Sequence, residues 1–193
     1  MNVHRVPLAE TGFLTPLFQD YLHEKPSVAP FYRHPPTARG FAGALDAKAA
    51  HFGADDRARL LAAWRPQYEG FELPPATREN LEALADPRTF TVTTGHQLNL
   101  FSGPLYFIYK LVTVVNLARR LREAYPHHRF VPVYWMASED HDFAEINHFH
   151  LFGQTYAWQT DQRGAVGRFR TEGFDGIFAA LPEAAPLFER AYR

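Results

Sequence analysis

The spacing of apolar residues changes near residue 89, and the change divides the chain. Before it, the pattern is helical or interrupted by proline. Pro7, Pro16, Pro26, Pro30, Pro35 and Pro36 punctuate the first 36 residues. That stretch reads as an extended arm with one short helix over 13–23, carrying Pro16 in its first turn. Residues 37–52 and 55–68 read as helices. In the second, Ala58, Leu61, Ala62 and Arg65 recur at helical spacing, and Pro66 marks the end. A third short helix is expected over 75–85, with Leu81 and Leu84 on one face and Thr77 as its N-cap. Asp86 and Pro87 make a turn.

From residue 89 the pattern is strand, helix, strand. Residues 89–94 (TFTVTT) have the β-branched and aromatic content of a strand, which Gly95, His96 and Gln97 are expected to break. Residues 104–125 read as a long helix with Pro104 at its first position. Its expected apolar stripe is Ile108, Leu111, Val112, Val115 and Ala118. Arg119, Arg120 and Arg122 gather where the macrodipole favours cations, and Pro126 stops the helix. Residues 130–137 (FVPVYWMA) are a continuous apolar run of strand length, as in a parallel strand covered on both faces. Pro132 within it suggests an edge or a start outside the ladder. A crossover helix between two such strands makes them parallel, so 89–137 is a βαβ unit. Beyond it, 147–152, 155–160 and 166–170 read as short strands of a meander, and 174–188 as a weak helix. Tyr134, Trp135, Phe149 and Phe152 are expected in the core, and His127 and His128 in a polar surface turn. The expected class is α/β, with 1–88 forming an arm and helices that pack on a core built from 89–193.

Composition narrows the function. The 193 residues carry 20 Lys plus Arg against 21 Asp plus Glu, a formal net charge of -1, which argues against binding nucleic acid by bulk phosphate attraction. There is no cysteine, so a disulfide scaffold, a thiolate zinc site and a thiol nucleophile are excluded. No run approaches 18 consecutive apolar residues and the N-terminus lacks a signal-peptide pattern, so the expectation is a cytoplasmic protein without a membrane span.

Ligands of parallel α/β sheets bind beyond the carboxyl ends of the strands, and two loops are expected there. The first, 93–104, combines Thr94, Gly95, His96, Gln97, Asn99 and Gly103 just before a helix N-terminus, where free amides favour an anion. Tyr106 and Lys110 lie within the first turns of that helix. Turn-forming glycines with solvated polar neighbours are the plainer reading. The second loop sets Glu139, Asp140 and Asp142 around His141 directly after an apolar strand. Like charges so close need an offset, and at a strand end they suit general acid–base work or ligand orientation. A solvated loop is again the alternative. Asp140, His141, Asp142, Glu145, His148 and His150 together could also suit a metal-dependent hydrolase, although no zincin-like spacing occurs and no metal is expected. A non-catalytic nucleotide- or sugar-binding module is the third reading.

The stretch TGHQLNLFSGPLYFIYK (94–110), followed by VPVYWMASEDHDFAEINH (131–148), resembles the cysteine ligases of bacillithiol biosynthesis, the BshC family. Its pattern T-G-x-Q-x-x-L-x-x-G-P-x-Y-x-x-Y-K is followed by V-P-V-[FY]-W-[IM]-A-x-E-D-H-D-F-x-E-[IV]-N, and both blocks match in order and interval. The resemblance implies a Rossmann-like, nucleotidyl-transferase-like core similar to that of class I aminoacyl-tRNA synthetases. It implies a ligase that joins the carboxyl of L-cysteine to the amine of glucosaminyl malate. Asp140, His141 and Asp142 would then be catalytic. Thr94, Gly95, His96, Gln97, Asn99, Gly103, Tyr106, Lys110 and Glu139 would bind substrate or a nucleotide. Family members are longer and carry a helical coiled-coil arm through which copies could associate. The chain would be roughly their N-terminal third to two-fifths, with the core incomplete at residue 193 and inactive by itself.

Overall fold

A computed structural model describes residues 4–35, 37–101 and 103–179. The chain divides into two compact units, Met1–Arg88 and Thr89–Arg193.

In the first unit the helices are α1 (Pro16–Leu22), α2 (Ala38–His51), α3 (Ala54–Trp64) and α4 (Pro75–Ala83). Thr15 caps α1, its hydroxyl accepting from the Phe18 amide at 3.3 Å, while Pro16 fills the first position. After α3, Pro66 turns the chain into a 3-10 segment, Arg65–Tyr68. Thr77 does not cap α4: Pro74 is the N-cap and Thr77 lies inside the first turn. Leu61 and Leu84 are buried with Arg57. The Arg57 guanidinium donates to the carbonyls of Leu84 (3.0 Å) and Pro87 (3.1 Å) and lies over the Phe52 ring. Its hydrogen bonds thus go to main-chain carbonyls at and beyond the end of α4.

The second unit is built on β1 (Thr89–Gln97), α5 (Leu105–Ala124) and β2 (Arg129–Ala137). β1 and β2 pair in parallel from Thr89 opposite Arg129 to Gln97 opposite Ala137. Gly95, His96 and Gln97 therefore do not break the strand; they extend it by three rungs. Glycine fits there because the Trp135 backbone and Cβ lie 3.2–3.3 Å from where a side chain would start. Pro132 sits in the ladder opposite Val92, in a sheet that has two strands among the described residues, each of them an edge there.

α5 packs on both strands, with Pro104 as its N-cap rather than its first residue. Its buried stripe is Val114, Ala118 and Leu121, with Phe107 and Leu111 half-buried. Of the stripe read from spacing, Ala118 is buried and Leu111 half-buried, whereas Ile108, Val112 and Val115 are exposed, as are Leu105 and Tyr109. The first half of α5 carries apolar residues on more than one face, and periodicity cannot choose between them. Beneath α5, Phe130 is 1% exposed and meets the rings of Phe90 and Tyr125. Arg122 fastens the helix end to β2 through two bonds to the Phe130 carbonyl.

After β2 come a single-turn helix α6 (Phe143–Ile146) and an antiparallel hairpin, β3 (His148–Leu151) with β4 (Gln154–Ala157). Its two-residue turn, Phe152 and Gly153, has φ of 50° and 78°, a type I′ geometry matched to strand twist. The expected third strand is instead a 3-10 turn, Val166–Arg168, because its amides are drawn to the loop after β2. A final helix, α7 (Asp175–Ala179), is the described part of the helix expected over 174–188; residues 180–188 lie outside the described residues. Buried Trp158 and Ile177 organise a second core with Leu100, Phe101, Phe143, Phe149, Phe169 and Phe174 packed around them. Trp135 and Phe152 are exposed rather than in the core.

Candidate functional site

Parallel pairing ends both strands at one edge, and the ladder carries Gln97 to the rung of Ala137. The chain then needs three residues to reach Asp140. The Gln97 side-chain amide donates to Asp140 Oδ2 at 3.0 Å. The two loops, 43 residues apart in sequence at this bond, are therefore neighbours.

Asp140 is the organised member of the acidic loop. Its Oδ1 accepts from the Asp142 amide at 2.9 Å and its Oδ2 from Gln97. These bonds stabilise the ionised form, with the Asp142 amide the largest contribution and Gln97 the next, and they hold the carboxyl below the usual carboxylate range. The backbone is fixed from the other side. The Val166 amide donates to the Asp140 carbonyl at 2.8 Å, and the Gly167 amide to the Ser138 carbonyl at 2.9 Å. Glu139, His141 and Asp142 point to solvent.

The residues before α5 form a second group. Because Gly95, His96 and Gln97 remain in strand geometry, successive side chains leave on opposite faces. Gln97 meets the acidic loop, whereas His96 turns toward α5 and joins Tyr106 and Phe107. Asn99 Nδ2 lies 2.8 Å from both the Gln97 carbonyl and His96 Nδ1. His96 Nδ1 also lies 3.1 Å from the Gln97 carbonyl, so this nitrogen accepts from Asn99 in one tautomer and donates to that carbonyl in the other. Nε2 faces Tyr106 Oη at 2.5 Å. Gly103, at φ of 60°, closes the loop on Asn99, whose side chain would lie 2.7–2.9 Å from a Cβ there. Lys110 reaches back to the Gly95 carbonyl at 3.0 Å and over the Tyr106 ring. Thr94 sits in the ladder opposite Tyr134. Ser102 of this loop lies outside the described residues.

Three contributors escape the sequence pattern. Tyr134 donates its hydroxyl to the His96 carbonyl at 3.1 Å, and burial pushes its phenol up. Its place within an apolar run hid a polar role. Val166 and Gly167 act through backbone amides, for which only the small residue at 167 could have served as a signal.

The remaining candidates do not join this group. The His148 and His150 rings lie 5.5 Å apart on one exposed face of the hairpin, each with an oxygen partner on Nδ1, Asn147 and Thr155 respectively. Among the described residues, no three of His, Asp and Glu assemble as a group able to hold a metal ion. No helix among them is long and apolar enough to cross a membrane.

Residues 1–192 match the family described as Bacillithiol biosynthesis BshC, N-terminal Rossmann-like domain. The chain is 47% identical over 163 residues to a protein of Flavobacterium johnsoniae named "Putative cysteine ligase BshC", covering 84% of this chain and 31% of that protein. A protein of the same name from Flavobacterium psychrophilum is 44% identical over 183 residues, covering 94% of this chain and 34% of its own length. Another, from Cytophaga hutchinsonii, is 38% identical over 192 residues, covering 100% of this chain and 36% of its own length. The chain spans about a third of the length of the curated relatives it matches.

Proposed function

Because the chain belongs to the BshC family, we propose that it is the N-terminal part of a ligase of bacillithiol biosynthesis, which joins L-cysteine to glucosaminyl malate. Its fold is Rossmann-like, and under this reading residues 89–193 are the first part of the core. The observation that carries the reading within the structure is the Gln97–Asp140 hydrogen bond, which unites two loops at the carboxyl ends of parallel strands, where such folds bind ligands.

Amide formation needs an activated acyl group, a deprotonated amine and stabilised developing charge. The sugar amine reaches the enzyme as an ammonium. Asp140, kept ionised by its amide donors, is a weak base and suits holding that ammonium by charge. Exposed His141 and Asp142 are left to take the proton as nitrogen attacks the acyl carbon and the leaving group departs. Glu139 adds negative charge to the same rim. On the other side, Lys110 and Thr94, supported by Asn99, Gly95, Gly103, His96 and Tyr106, fit an anionic group. A nucleotide is the class the fold implies, and its phosphates would lie here; when bound it supplies acyl activation.

The exposed apolar face of α5 (Leu105, Ile108, Tyr109, Val112 and Val115) is where we place the rest of a longer protein's core. That longer protein would carry a helical coiled-coil arm through which copies associate, and would act in the cytoplasm on small molecules. The test is direct. A full-length protein carrying this chain, supplied with L-cysteine, glucosaminyl malate and a nucleoside triphosphate, should yield a product with the mass of the two substrates less one water. Asp140→Asn, which removes a charge-assisted hydrogen bond to the ammonium, should lower its formation about 10- to 10²-fold, and residues 1–193 alone should show no comparable turnover. No product at saturating substrates, or unchanged kinetics in Asp140→Asn, would overturn the reading.

A further inference from the structure

We propose that Gly167 is a positioning residue for the acidic loop, and that its missing side chain lets residues 138–140 seat against the 3-10 turn and present Asp140 to Gln97. The effect on turnover rests on the ligase reading; the effect on the loop rests on geometry alone.

Two consecutive amides of the turn, Val166 and Gly167, grip two alternate carbonyls of the loop, Asp140 and Ser138, at 2.8 and 2.9 Å. Both donors and both acceptors are main chain, so the grip depends on close backbone approach. A Cβ on Gly167 would lie 2.4 Å from Ser138 Cβ, 2.7 Å from the Ser138 carbonyl oxygen and 3.1 Å from its Cα. Atoms do not pack that closely, and a backbone oxygen cannot rotate aside. One of the two segments has to move.

The turn is the better anchored. Val166 is buried. Phe169 follows it and packs on Phe143 and Trp158 at ring-centroid distances of 5.3 and 6.4 Å. The loop is held by single hydrogen bonds and is exposed at Glu139, His141 and Asp142, so it is the loop that yields. Its displacement separates Asp140 from Gln97 on the strand. Gly167 is exposed and does not have positive φ, so alanine there strains no dihedral angle and opens no cavity. Contact with Ser138 is the whole perturbation.

The groups facing Asp140 are the Asp142 amide and His141 within its loop, the neutral Gln97 amide from β1, and main-chain amides from the turn. The experiment compares Gly167→Ala with the double variant Ser138→Gly/Gly167→Ala, which removes the nearest atom. In this chain, the Asp140 carboxyl is titrated by NMR. In a full-length protein carrying the chain, ligation kinetics are measured. Gly167→Ala should raise the Asp140 titration toward the ordinary aspartate value, and the double variant should bring it partly back. In the longer protein, kcat/KM for the amino sugar should fall about 10- to 100-fold, with KM for L-cysteine unchanged. If Gly167→Ala does not fold, recovery by Ser138→Gly is the supporting result, and its absence overturns the proposal. An unmoved Asp140 titration in folded Gly167→Ala also overturns it. A moved titration in a protein whose wild type makes no amide supports the positioning role while removing the ligase reading.

Discussion

Phe130 is the residue whose removal should do most damage to the layer that carries the site. Its side chain is 1% exposed and lies between Phe90 and Tyr125, at centroid distances of 6.1 and 6.3 Å. Its carbonyl holds Arg122, so alanine at this position leaves that bond in place and isolates the ring's contribution. Returning the ring to water costs about 2–3 kcal/mol. The cavity left between α5 and β2 brings the total to about 3–5 kcal/mol. For a unit of this size that is a fall in Tm of roughly 15–30 °C. Leucine refills part of the volume and should cost about 1–2 kcal/mol. Urea denaturation followed by tryptophan fluorescence and far-ultraviolet circular dichroism gives both values, with the m-value as a check that the denatured state is unchanged. If Phe130→Ala lies within about 1 kcal/mol of wild type at constant m, this ring is not what holds α5 on the strands, and the account of the core is wrong.

Asp86 is held at about 2, below its ordinary 3.8, chiefly by its side-chain hydrogen bond from Arg88. Because the folded value is the lower one, its stabilisation is present above the ordinary value and is lost as pH falls through about 2. Asp86→Asn should therefore destabilise at neutral pH and converge with wild type at the acid end of an unfolding series; a pH-independent difference would refute the linkage. Phe152 is 74% exposed with φ of 50° in the hairpin turn. Phe152→Asn, which gives the Asn-Gly pair that type I′ turns favour, should stabilise by about 1 kcal/mol in chemical denaturation. A loss of stability would show that the phenyl ring contributes packing.

The order of elements was readable because each local signal had one strong interpretation. Proline at 16 and 66 delimits helices, a β-branched run at 89–94 and an apolar run at 130–137 make strands, and a helix between them makes those strands parallel. The candidate loops followed from that order. Errors arose where two interpretations had equal local support. Gly95 can end a strand or sit within one, and only the Trp135 backbone opposite decides. More than one face of α5 offers apolar residues, and only the sheet beneath selects 114, 118 and 121. Val166 has strand propensity, but its amide and that of Gly167 find better acceptors in the acidic loop.

What the sequence by itself determined is the chemical inventory and its order along the chain. It lacks thiols, has a balanced charge, and carries two polar loops after two parallel strands in a pattern shared with one family. Tertiary structure decided how that inventory is distributed. Strand alternation sends His96 and Gln97 to opposite faces, pairing brings Gln97 to Asp140 across 43 positions, and two amides from residues 166 and 167 fix the acidic backbone. Spacing encodes periodicity within an element. It does not encode which element lies across from it, because that choice is made by long-range packing and by carbonyls competing for a limited set of amides.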